Sequence, residues 1–272
     1  MVLEILFLRV AAVLVGCMLA AYSDARTGLI FDRITYPMIA FGVILGIIEG
    51  QWLFLGIGGV VFAIGYLVYY LGKVGGGDVK LITGIAFLLP FYRNGFFLLN
   101  SLFAASLLAV SFYSVYYVSR YARKGIEWKE NSRGIVKAVV FLAAIIAYIL
   151  WAALLGAIRP YSALALAFPM ALASVFIAFE RGIRKRFFLM NVRLGKLEED
   201  EVVASEFLSK KAKRALGLGF KGVLGEKEIE KLGKSGINKV PVFRALPPFG
   251  PFIFLGCAIA AIVPDLIGAL FG

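Results

Sequence analysis

Long apolar stretches separated by short charged ones set the rhythm of this chain. The runs lie at 3–22, 36–49, 52–72, 95–118, 135–158, 160–180 and 247–271. Most of them approach or exceed the roughly 20 apolar residues that a helix needs to cross hydrocarbon. A shorter run at 79–92 makes an eighth candidate. Lipid offers backbone groups no hydrogen-bond partners, so each run is expected to be helical. The pattern predicts an all-α polytopic membrane protein with about eight transmembrane helices, six at the fewest. Its expected divisions are a transmembrane core over 1–180, a charged segment over 181–245 and a final transmembrane helix over 246–272. The first run is too long, and too closely followed by further spans, to read as a removed signal peptide.

Composition supports this class. Hydrophobic residues make up 61% of the chain and charged residues 17%, with a mean hydropathy of +0.88. Soluble domains are only about half apolar. The positive charge is also unevenly placed. With the amino terminus outside and eight crossings, the inside loops are 23–35, 73–80, 119–137 and 181–245. These hold all 29 Lys and Arg residues except Arg9, Arg93 and Arg159. That asymmetry is the positive-inside pattern, so these loops are assigned to the cytoplasm of a multi-pass cell-membrane protein. It also accounts for the net charge of +12, with membrane lipid as the expected partner. A nucleic-acid partner is not expected, because it requires basic residues clustered on one face with stacking aromatics.

Absences narrow the chemistry. The chain has no histidine, which excludes Ser-His and Cys-His catalysis and makes most transition-metal sites unlikely on chemical grounds. Its two cysteines, Cys17 and Cys257, fall within apolar runs and read as core or lipid-facing filler. No cofactor and no metal are therefore expected. The charged segment carries an acidic patch from Leu197 to Glu201 and a basic patch from Lys210 to Arg214. A short helix is expected at "EKEIEKLGK". At about 60 residues the segment is near the lower limit for independent folding, so it is expected to lean on the membrane core or the headgroups.

Acids at span edges are costly and mark function by default. Glu4, Glu49 and Asp265 fall at expected outer ends. Asp24, in "AYSDARTGLIFDRITYP", and Asp78, in "YLGKVGGGDVKLITG", both fall at the cytoplasmic face, where the first span leaves the membrane and the fourth enters it. Two aspartates brought close together share one proton and act as acid and base at once. Such a pair activates water against an amide carbonyl without a metal. Gly75, Gly76 and Gly77 then leave room for an extended peptide to approach. The helix dipole favours charge on Asp78 at a helix start and disfavours it on Asp24 at a helix end. Asp78 is thus expected as the base and Asp24 as the acid, an assignment that pairing of Asp24 with Arg26 would reverse. Alternatively, Asp24 only pairs with Arg26 or Arg33 and Asp78 only caps a helix. Asp32 is the rival partner for Asp78, and reads more simply as a cap or loop acid.

These residues carry a resemblance. "GGGDVKL" (Gly75 to Leu81) resembles the GxGD signature of the type IV prepilin and preflagellin peptidases, which are membrane aspartic proteases. "SDARTGLIFDRITYP" is similar to the segment bearing that family's first catalytic aspartate, with Asp24, Arg26, Ile30 and Asp32 in register and Phe31 where the family commonly has proline. "LPPFGPFIFLG" (Leu246 to Gly256) resembles the entry to the family's last span. "LEEDEVVA" and "GEKEIEKL" resemble the cytoplasmic segment of archaeal members. The resemblance implies endoproteolysis of a prepilin or preflagellin precursor, cut at the cytoplasmic face just before its hydrophobic helix. Asp24 and Asp78 then match the two catalytic aspartates. It also implies protease activity without N-methylation, since the four-cysteine zinc loop of many bacterial members is missing.

Three other readings stand beside it. A presenilin-like protease keeps the same chemistry, but Ser23 separates Tyr22 from Asp24 and "RALPPFG" replaces that group's Pro-Ala-Leu motif. A transporter favours acids at mid-span rather than at span ends. A non-catalytic assembly scaffold would work through the charged segment. The run Glu198, Glu199, Asp200 and Glu201 is a candidate contact for a basic leader, or else a solvated loop.

Overall fold

The computed structural model describes residues 2–71, 74–156, 160–197, 203–217, 224–243 and 247–271. Seven helices come first: α1 (Val2–Thr27), α2 (Asp32–Ile48), α3 (Trp52–Tyr70), α4 (Gly76–Leu88), α5 (Phe97–Arg123), α6 (Trp128–Leu154) and α7 (Pro160–Ile183). After a small charged unit come α10 (Gly250–Ile262) and α11 (Leu266–Phe271). The chain is an all-α polytopic membrane protein. Among the described residues, five helices are long and apolar enough to span a bilayer: α1, α3, α5, α6 and α7, the last taken together with its continuation to Phe188. The apolar helix Gly250–Ile262 is shorter.

Three expectations about element bounds need correction. The run at 79–92 forms α4, whose 13 residues reach about 20 Å, short of the roughly 30 Å of hydrocarbon. It lies packed between α2 and α3 and also touches α1, with Val79, Leu81, Ile85, Ala86 and Leu88 buried. The last run is not one helix. It breaks after α10 because Pro264 has no N–H to donate and disfavours helical backbone at Val263. Asn100 on α5 bridges the break: its amide donates to the Pro264 carbonyl at 2.8 Å and its oxygen accepts the Ile267 N–H at 2.9 Å. Finally, α6 starts at Trp128 rather than 135, since hydropathy marks the thickness of lipid and not the end of a helix.

Antiparallel packing brings distant parts of the chain together. On one side α10 lies against α1, and on the other against α5, while α6 and α7 pair beside α5. The central core joins Val13 and Cys17 of α1, Leu81 and Ile85 of α4, and Ile253 and Cys257 of α10. Cys17 and Cys257 are both free and buried, with their sulfurs 3.9 Å apart. At Gly256 a side chain would run into the Ser101 carbonyl and Ala105, so this glycine sets how closely α10 approaches α5. At the other end of α5, Asn131 ties three helices together: its amide donates to Tyr121 Oη at 2.9 Å and its oxygen accepts the Gly182 N–H at 3.1 Å.

Past α7 the chain makes one wide turn of helix (Arg184–Phe188) and a two-stranded antiparallel sheet. In it β1 (Leu189–Arg193) pairs with β2 (Lys239–Phe243), with Leu189 opposite Phe243. Between the strands lie α8 (Lys210–Leu216) and α9 (Glu226–Lys234), the latter being the helix expected at "EKEIEKLGK". Ser209 caps α8 by accepting the Ala212 N–H. This unit has its own apolar core of Val192, Val203, Leu216, Leu224, Leu232, Val240 and Val242. A second cluster, Phe188, Ala204 and Phe243, packs it onto Tyr117 and Tyr121 of α5. The acidic run 198–201 lies outside the described residues.

Candidate active site

Asp24 sits in the last turn of α1, four residues before Gly28, whose positive φ of 71° ends the helix. Its side chain turns inward and is 5% exposed. There it meets the start of α10: Oδ2 accepts the Gly250 N–H at 2.7 Å, and the Phe249 N–H faces the same carboxyl. These are amides that a helix cannot satisfy by itself. Asp24 therefore caps, across 226 residues of chain, a helix other than its own. The close approach depends on Gly250, where a Cβ would stand 3.0 Å from Asp24 Oδ2 and 3.1 Å from Asp24 Cβ.

Asp78 lies in the first turn of α4, ahead of that helix's apolar run, with Gly75 at the N-cap. It is half-buried and close enough to Asp24 to feel its charge. Burial first, and the Asp24 charge second, push the Asp78 carboxyl up to about 6. Two carboxyl groups from α1 and α4 thus share one end of the bundle, next to free helix amides. Such a set can keep one acid protonated beside a second, activate a water and bind a developing oxyanion.

The glycines before Asp78 differ from one another. A Cβ at Gly77 would lie 2.9 Å from Ile30 Cβ and 3.1 Å from the Ile30 carbonyl. Gly77 therefore seats α4 on the loop that joins α1 to α2. Gly76 faces the Tyr69 ring at an ordinary 3.4 Å, and Gly75 is exposed beside Asp78 Oδ2. Asp32 points elsewhere: it opens α2 and accepts a 2.6 Å bond from Lys80 Nζ. Arg26 stacks on Tyr22 and Arg33 on Phe31.

Two participants were not singled out from sequence. One is the Phe249–Gly250 amide pair; its proline-rich motif was visible, but not the acid it meets. The other is Tyr113 of α5, whose Oη donates to the Pro248 carbonyl at 2.5 Å. Nothing local distinguishes it from the neighbouring tyrosines of "SFYSVYYVSRY".

Comparison with known proteins bears on this end of the bundle. Residues 11–110, the stretch that carries both aspartates, match the Type IV leader peptidase family. Prepilin peptidase EppA of Methanothermobacter thermautotrophicus is 37% identical over 99 residues, covering 34% of this chain and 25% of that protein. The chain thus aligns with about a quarter of that relative's length. No solved structure matches. The resemblance read from the two aspartate motifs is borne out over this region, where residues 11–110 are similar to the type IV leader peptidases.

Proposed function

We propose that this protein is an aspartic endopeptidase of the cell membrane that removes the short basic leader from prepilin or preflagellin precursors at the cytoplasmic face. The observation that carries the reading is that the first turn of α4, which bears Asp78, seats on Ile30 in the loop that follows Asp24, so both acids stand at one end of the bundle within the region that matches the leader peptidases.

In the proposed reaction Asp24 is the base. Burial works against its carboxylate form, and the Gly250 N–H and the positive end of α10 offset that cost, whereas Asp78 holds its proton up to about 6. This reverses the assignment expected from each aspartate's own helix. Asp24 takes a proton from water as the oxygen attacks the scissile carbonyl. Asp78 donates a proton to the carbonyl oxygen. Collapse of the tetrahedral intermediate breaks the C–N bond: the proton gained by Asp24 passes to the leaving amine, and one hydroxyl proton of the intermediate returns to Asp78 as the new carboxyl forms. Gly75, exposed beside Asp78, gives the peptide backbone the nearest side-chain-free approach, with Gly76 and Gly77 shaping its floor. A cavity of about 290 Å³ is lined mostly by apolar side chains and rings, among them Tyr113, Tyr117, Phe176, Phe188 and Pro247. It suits the apolar residues that follow the cut.

The deciding experiment is cleavage of a tagged precursor by purified protein in lipid or detergent. Wild type shortens the precursor, Asp24→Asn and Asp78→Asn leave it whole while folded, and Asp32→Asn still cleaves. Loss of cleavage in Asp32→Asn with retention in Asp24→Asn would mean that the wrong acids have been paired. An unmethylated new amino terminus, read by mass spectrometry, tests the expectation of proteolysis alone.

A further inference from the structure

We propose that Tyr113 is a positioning residue for this site: its hydroxyl holds the Pro248–Phe249 peptide so that the amides of Phe249 and Gly250 stay on the Asp24 carboxylate. The proposal rests on the reading of Asp24 as part of the peptidase dyad, and goes beyond it by giving the base a support from a third helix.

The argument starts from one planar peptide unit. The Pro248 carbonyl and the Phe249 N–H belong to the same peptide group and point in opposite directions when that group is trans; there is no cis bond in the described chain. Tyr113 Oη donates to the carbonyl side from α5 at 2.5 Å. The N–H side faces Asp24 on α1. Fixing one side of a rigid plane fixes the other. The following amide, Gly250, donates to Asp24 Oδ2 at 2.7 Å, so the donor to the carboxylate directly follows the anchored unit. A hydrogen bond accepted by a carbonyl also polarises its peptide and strengthens the N–H as a donor. Tyr113 thus orients and sharpens the same group.

The tyrosine is itself held. Its ring meets Phe252 of α10 edge-on at 5.1 Å and Tyr117 at 5.7 Å. The reach from α5 to α10 is set by the tight contact at Gly256 with Ser101 and Ala105. The titratable groups that face Asp24 are Asp78 from α4 and Tyr113 from α5, whose hydroxyl lies within reach of the Asp24 charge. On its own helix, Arg26 is turned onto the Tyr22 ring at 4.9 Å.

The test compares Tyr113→Phe with Tyr116→Phe, an exposed neighbour on α5 whose hydroxyl bonds Arg120, using purified full-length protein and a tagged precursor. Loss of one neutral hydrogen bond corresponds to roughly a twofold to tenfold change. Tyr113→Phe is expected to lower kcat within that range with KM unchanged. The acid limb of its kcat profile moves to higher pH, because a less supported Asp24 keeps its proton longer. Tyr116→Phe leaves kcat and the profile alone. A second readout needs no turnover: infrared spectra of protein labelled with carbon-13 aspartate, with the Asp24 carboxylate band assigned by its loss in Asp24→Asn. That band shifts in Tyr113→Phe and stays in Tyr116→Phe. An unmoved band, an unchanged pH profile or equal losses in both variants overturns the proposal. A wild-type protein that leaves the precursor whole removes the peptidase reading itself, and this inference with it.

Discussion

Asp24 and Gly250 are joined by a buried 2.7 Å hydrogen bond that spans nearly the whole chain. The first long helix thereby closes on the last, and the carboxylate sits where α10 begins. Since a Cβ at position 250 would come within 3.0 Å of Asp24 Oδ2 and 3.1 Å of Asp24 Cβ, Gly250→Ala must displace the carboxyl or the helix start. A displacement near 1 Å at reacting groups costs up to about a hundredfold in rate. The expected outcome is a tenfold to hundredfold fall in precursor cleavage with the helical circular-dichroism signal retained. Cleavage at the wild-type rate would mean that the Asp24 position has no bearing on turnover.

Asp78 predicts a dependence of stability on pH whose sign is opposite to that of most carboxylates. Its carboxyl is pushed up to about 6 in the folded protein, against about 3.9 for a free side chain. Between these values the native state binds more protons than the unfolded one, so stability falls as pH rises through the window. Above about 6 the full cost of a desolvated charge beside Asp24 is present. Asp78→Asn is therefore expected to raise the melting temperature in detergent at pH 7 to 8. That gain should fade as pH drops from about 6 to about 4, where both states of the wild type are protonated. A gain independent of pH would point to packing rather than charge. The variant is at the same time expected to be inactive, so stability and cleavage part company at this position.

At the opposite end of the bundle Arg9 is 2% exposed and donates to the Leu88 carbonyl at 2.6 Å, the end of the helix that carries Asp78. It also bonds Glu49 Oε1 at 3.0 Å and lies over the Phe54 ring. Removing only the anion leaves a buried cation, which costs about 3 kcal/mol, whereas replacing both charges by apolar groups is close to neutral. Glu49→Leu alone is expected to destabilise by that amount. Adding Arg9→Met should restore most of the loss, short of about 1 kcal/mol for the unpaired Leu88 carbonyl. Denaturant unfolding of the three variants in detergent measures this. A double variant as unstable as Glu49→Leu would remove the buried-charge account.

How far the sequence revealed this arrangement varies with the range of the interactions. Runs of apolar residues gave the helices, because burial in lipid is a property of each segment by itself. The two acids could be found for the same reason: a carboxylate at a span edge stands out locally. The break at Pro264 was legible in principle from the proline, but it was hidden in a run whose average hydropathy stayed high. The short reach of α4 was masked because a buried helix and a spanning helix have the same apolar composition. The base and acid roles could not be read at all. The roles proposed above rest on Asp24 capping the far helix α10, and a helix dipole argument made along α1 alone gives the opposite sign. Tyr113 was equally hidden, since its partner is a backbone carbonyl 135 residues away.

The glycines ahead of Asp78 separate two explanations that one motif had merged. Neither Gly76 nor Gly77 has a positive φ, so conformational freedom is not the reason for either. Space is the reason at Gly77, where a Cβ would press on Ile30 at 2.9 Å and its carbonyl at 3.1 Å. That pressure pushes the first turn of α4 off the loop that follows Asp24, and moves Asp78 with it. At Gly76 the added methyl group would meet only the Tyr69 ring at 3.4 Å, an ordinary contact. A helical Gly→Ala change also brings up to about 1 kcal/mol of propensity. Gly77→Ala is therefore expected to lower kcat by tenfold or more, with the loss eased by Ile30→Gly, which removes the nearest clashing atom. Gly76→Ala should keep the wild-type fold, with equal or slightly higher melting temperature. If its KM nevertheless rises, position 76 is where the substrate backbone passes. If Gly77→Ala cleaves as the wild type does, the fit of α4 on Ile30 has no part in holding Asp78 near Asp24.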